Sequence, residues 1–98
     1  LFRSQVPISA PVLNRTAPAG ATVPFNTSVT LSVTAMGTDP TYQWFRGTTL
    51  LSGATNATYT FTSGATAGTT NYSVRVTNGT SSAGVLSNVL AVQVAPAP

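Results

Sequence analysis

Asp39 is the only side-chain carboxylate in a chain of 98 residues that has no histidine, cysteine, lysine or glutamate. General acid–base catalysis needs a histidine, a carboxylate pair, a lysine or a tuned tyrosine. A hydroxyl nucleophile needs a base beside it, and the 18 Thr and 10 Ser of this chain have none. Zinc would find neither thiolate nor imidazole, and one Asp with backbone carbonyls makes a weak calcium cage. Disulfides and Lys–Asn isopeptide staples are excluded by composition, so stability must come from packing and hydrogen bonds. The expectation is a protein that is not an enzyme and takes no cofactor and no metal.

The remaining candidates are arginines and asparagines. Arg3, Arg15, Arg46 and Arg75 against Asp39 give a net charge of +3, but they never cluster. A nucleic-acid binder shows a basic stripe interleaved with aromatics, so these four read as solvated or snorkelling side chains. Five of the six Asn open N-x-S/T triplets: Asn14, Asn26, Asn56, Asn71 and Asn78. Chance alone gives about 1.7, so glycosylation is a hypothesis for Asn14, Asn26, Asn56 and Asn78, although such triplets also serve as turn and strand chemistry. Asn71 falls inside a strand and is the poorest acceptor. Asp39-Pro40 is turn chemistry.

The elements that carry these residues are strands. Thr and Val supply 29 β-branched residues, and no long stretch holds a 3.6-residue period. Residues 6–14 read as extended, with Pro7 and Pro11 confining them to an edge. Residues 28–35 alternate, putting Val29, Leu31, Val33 and Ala35 on one face. Residues 41–46 put Tyr42 and Trp44 together, 57–62 Tyr59 and Phe61, and 70–77 Tyr72, Val74 and Val76. A short strand is expected around Leu50 and Leu51, Asn78-Gly79 is a strong turn signal, and 85–94 read as one last strand with Leu90, Val92 and Val94 facing in. About seven strands in under 100 residues suit a two-sheet sandwich, with a small OB-type barrel as the rival. No apolar run reaches the length of a membrane span, no signal peptide is visible, and a chain opening at Leu1 is expected of a mature or excised piece of something larger.

The stretch SVTLSVTAMGTDPTYQWFRGTTLLSGATNATYTF resembles the B-to-E segment of bacterial immunoglobulin-like domains, and AGTTNYSVRVTNGTSSAGVLSNVLAVQV resembles their F and G strands. The likeness covers roughly residues 20–95. It implies an all-β, immunoglobulin-like two-sheet Greek-key sandwich, with 1–9 an apolar leader or pairing strand, 10–95 the sandwich and 96–98 the end of a Pro-rich linker. It also implies that Trp44 is the core Trp of the third strand. Val33 and Val74 would stand where antibody-type domains hold their disulfide, and Tyr72 would form the tyrosine corner. The acidic residue that often precedes that Tyr is missing, which puts the usual Arg–Asp clasp in doubt. Such modules are repeats in secreted and cell-surface proteins, adhesins among them.

Parity leaves Gln43, Phe45, Ser73, Arg75, Val89, Ala91 and Gln93 on an outer sheet face, where Phe45 and Arg75 could form an exposed cation–π pair. Phe2, Val6 and Ile8 form an apolar leader that could pair with a neighbouring subunit. Edge strands normally carry charge to block such pairing, and only 5% of this chain is charged. The functional expectation is a non-catalytic extracellular or cell-surface structural module, either a stalk or spacer repeat or a filament subunit. It would contact neighbouring immunoglobulin-like domains or identical subunits, with no nucleic acid and no membrane insertion. The alternative is a polysaccharide-binding accessory module touching surface glycans. A viral decoration domain would use the same fold.

Overall fold

The computed structural model describes residues 6–18 and 20–96, and these contain strands and no helix. The strands are β1 (Val12–Ala17), β2 (Ser28–Thr34), β3 (Thr41–Arg46), β4 (Thr49–Leu50), β5 (Thr58–Thr62), β6 (Gly68–Thr77), β7 (Val85–Leu86) and β8 (Leu90–Val94). They form two antiparallel sheets. One has the order β1-β2-β5; the other runs β4-β3-β6, with β7 and β8 both paired to β6.

The alternation read in the sequence is the alternation of burial. Val29, Leu31 and Val33 of β2, Trp44 of β3, and Tyr72, Val74 and Val76 of β6 are all buried, and Leu13, Val92 and Val94 join them. The longer strands have one face on the core, so a period of two is what burial selects. Trp44 is opposite Val74 in the register and is fully enclosed. Its indole Nε1 donates to the carbonyl of Asn56 at 2.7 Å. Tyr59, Phe61 and Tyr72 extend the aromatic part of the core, with Phe61 and Tyr72 stacked at 5.0 Å and Tyr59 5.6 Å from Trp44.

Three parts differ from the sequence reading. The first strand is displaced: β1 lies at 12–17, whereas residues 6–9 run outside any strand, bonded to the β2–β3 loop. Ser9 N–H donates to Met36 and Thr38 N–H to Val6. Gly37, at φ +143°, makes this approach feasible, because a Cβ there would lie 2.6 Å from Ile8 Cδ1. Asn78-Gly79 does not make a tight hairpin. Neither residue has the positive φ that a two-residue type I′ turn requires, and residues 78–84 separate β6 from β7.

The last strand is broken. Pairs Arg75↔Leu86 and Tyr72↔Leu90 leave three residues, 87–89, opposite Ser73 and Val74, so one residue is extra. Ser87 Oγ accepts the N–H of Val74, and Asn88 grips Leu13 of the other sheet through both its carboxamide atoms. A bulge of this kind flips the parity of what precedes it. Val85 therefore packs on the core, and Leu86, which continued alternation would bury, is 55% exposed.

Candidate functional site

The outer face of the second sheet is built around Arg75. Gln43 opposes Arg75 and Phe45 opposes Ser73, which makes Phe45 and Arg75 diagonal neighbours on one face. The guanidinium carbon sits 5.5 Å from the centroid of the Phe45 ring, inside the range of a cation–π contact. The stem of Arg75 passes over Gly84, where a Cβ would come within 2.5 Å of Arg75 Cγ and 2.9 Å of Thr77 Cγ2. Gly84 is thus the bare spot that lets Arg75 lie flat toward Phe45. With Gly47, Thr48, Ser73 and the displaced Leu86 they line a shallow depression of about 260 Å³. Val89, at the bulge, is 67% exposed. The sequence placed Phe45, Arg75 and Val89 on this face. It missed Leu86, and the polar Ser87-Asn88 pair interrupting an apolar strand was the available signal.

The other described arginines are structural. Arg15 donates to the carbonyls of Pro18 and Gly20, closing the turn after β1. Arg46 is paired with Tyr72 in the register, which brings its positive charge near the phenol. No basic stripe forms among the described residues.

Burial pushes the Tyr72 phenol above its ordinary value of 10.0, with Arg46 pulling the other way. Folded and unfolded chains both hold the proton below pH 10. As pH rises further the unfolded chain releases it first, so this contribution to stability is lost as pH climbs through the folded value. Thermal melts between about pH 9 and 11 should fall more steeply for the native chain than for Tyr72→Phe. Equal slopes would remove Tyr72 as the source.

The other candidates scatter. Ile8 is buried in the chain's own core, so it is not a surface contact. Val6 is exposed, with its carbonyl held by Thr38 N–H and the Asn78 carboxamide. Phe2 lies outside the described residues. Phe25 packs against the core. Among the N-x-S/T triplets, Asn14, Asn26 and Asn56 are exposed, whereas Asn78 is 9% exposed with its amide nitrogen donating to Val6 and Thr38. A second hollow of about 480 Å³ lies between residues 51–56 and β5, lined by uncharged side chains. No group of three or more metal-ligating side chains occurs among the described residues.

No protein-family model and no curated protein matches this chain.

Proposed function

We propose that this chain is a non-catalytic structural module of the immunoglobulin-like kind, working outside the cytoplasm or at a cell surface as a spacer repeat or filament subunit. The observation that carries the role is the placement of entry and exit. Val6 is bonded to Thr38 and Asn78 beyond the C-terminal end of β6, while Val94 pairs with Gly68 at the N-terminal end of the same strand. The chain therefore comes in at one pole and leaves at the other, separated by the ten residues of β6, or about 33 Å of strand. That is the geometry of an in-line spacer.

The immunoglobulin-like reading has its own support. The order β1-β2-β5 against β4-β3-β6-β8, the enclosed Trp44, and Val33 and Val74 buried in one core all accord with it. So does Val23, which crosses to the second sheet and bridges Val94 in parallel. Polysaccharide binding has less behind it, because Trp44 and Tyr72 are buried, and Tyr59 and Phe61 are packed against the core.

Small-angle scattering on one, two and three copies joined end to end tests the role. The long dimension should grow by about 40 Å per copy, one β6 length plus its loops. Copies folded back side by side would overturn it. The Phe45 face supplies lateral contact in this reading. Phe45→Ser should weaken association between arrays while costing the fold about 1 kcal/mol or less; unfolding of that variant would refute the outward placement.

A further inference from the structure

Every open sheet has edges, and each edge strand offers a row of unpaired N–H and C=O groups to another chain. The four sheet edges among the described residues are not alike. β4 is two residues long. β1 has a register shift between Arg15 and Ala17, and the Asn88 side chain occupies the N–H and C=O of Leu13. The β7–β8 edge is broken by the bulge, and Val23 exchanges backbone bonds with Gln93 and Ala95. Short length, irregularity and cover are the usual guards against strand addition. Among the described residues, β5 has none of them. It reads Thr-Tyr-Thr-Phe-Thr, without charge, Pro, Gly or register shift.

The pairing register says which groups of β5 are free. Val33 N–H donates to Ala57, which makes the odd-numbered residues the hydrogen-bonded partners of β2. In an antiparallel ladder the alternate residues point their N–H and C=O the other way. Thr58, Thr60 and Thr62 therefore present theirs to the open side. The 480 Å³ hollow lies along that side at Thr58, Tyr59 and Thr60, bordered by Ser52 and Thr55.

We infer that β5 is a homotypic docking strand, to which β5 of a second copy adds antiparallel about a two-fold axis through Thr60. The open-side set is symmetric under that axis: Thr60 meets Thr60 of the second copy, and Thr58 meets Thr62. Three hydrogen-bonded pairs and six backbone bonds result, joining two three-stranded sheets into one of six. The occupant is a second copy because the two surfaces are neutral against neutral: neither β5 nor the lining of the hollow holds a charge. Directly opposed threonines are also favourable cross-strand pairs. The contact is isologous, so it closes at a dimer and makes no filament by itself. It does not depend on the in-line role proposed above.

Sedimentation equilibrium of the intact chain from about 10 µM to 1 mM is the test, since an interface this small associates weakly. A monomer–dimer equilibrium is expected. Thr60→Lys, which sets two cations face to face, should raise the dissociation constant about three- to tenfold. Thr60→Pro removes the open-side donor and leaves the β2 ladder intact, and should raise it about tenfold or more. Circular dichroism checks that both variants fold. A monomer at every concentration overturns the inference, as does a dimer indifferent to Thr60→Lys or one lost on Phe45→Ser instead.

Discussion

Trp44→Ala is expected to cost about 3–5 kcal/mol, the usual range for truncating an enclosed large aromatic. A domain of this size has about 5–15 kcal/mol in total, so the variant should be marginal or unfolded at 25 °C. The side chain is fully enclosed, 5.6 Å from Tyr59 and opposite Val74. It is also where the backbone after β4 is tied in. Trp44 N–H donates to Ala54, its carbonyl accepts from Leu51, and its indole donates to Asn56. Trp44→Phe separates the two roles: it keeps most of the ring volume and leaves the Asn56 carbonyl without its donor, which should cost about 1–3 kcal/mol. Urea unfolding followed by circular dichroism measures both, since the chain's one tryptophan is gone from each variant. A loss below about 1 kcal/mol for Trp44→Ala would mean that the core closes without the ring.

The parts of the fold legible in the sequence are those decided by burial on one face of a strand. Val29, Leu31 and Val33, or Tyr72, Val74 and Val76, announce themselves because a pleated strand against a core permits little else. The Phe45–Arg75 pair was legible for the same reason, being the opposite parity of two well-read strands. What was not legible depends on side chains acting for the backbone. Ser87 Oγ stands in the ladder where a backbone group is expected, Asn88 bridges the sheets, and the one trace of the extra residue in 85–94 is that polar pair inside an apolar run. Ile8 looked like part of a free leader because nothing local shows that the β2–β3 loop, with Gly37 bare beneath it, would receive it. The open edge of β5 is similar: its composition was visible, but its being unguarded is a statement about all four edges together.

Asn78 is the largest polar determinant of this kind, and it tests the same point. Its amide nitrogen donates to the carbonyls of Val6 at 2.8 Å and Thr38 at 2.9 Å. Its oxygen accepts from the N–H groups of Thr80 at 3.1 Å and Ser81 at 2.7 Å. One side chain thus holds the incoming chain, the β2–β3 loop and the turn after β6 in register, and Ser81 in turn receives Ile8 N–H through its hydroxyl. Asn78→Ala strips partners from four backbone groups and should cost about 2–4 kcal/mol, the lower end applying where water reaches them. Asn78→Asp keeps the acceptor for Thr80 and Ser81 but loses both donations, and it sets a carboxylate against two carbonyls. Its loss should therefore fall mainly on the grip over residues 6–9, read as faster amide exchange at Ile8 and Ser9 than at Ser81. The same geometry bears on modification. An N-linked glycan would replace one of the two amide hydrogens now bonded within the fold, so Asn78→Gln should leave the intact mass pattern of glycosylated material unchanged, whereas the exposed Asn14, Asn26 and Asn56 remain open to it. Equal exchange rates in Asn78→Asp and the native chain, or a stability loss under about 0.5 kcal/mol for Asn78→Ala, would show that the entry pole is held by packing of Ile8 alone.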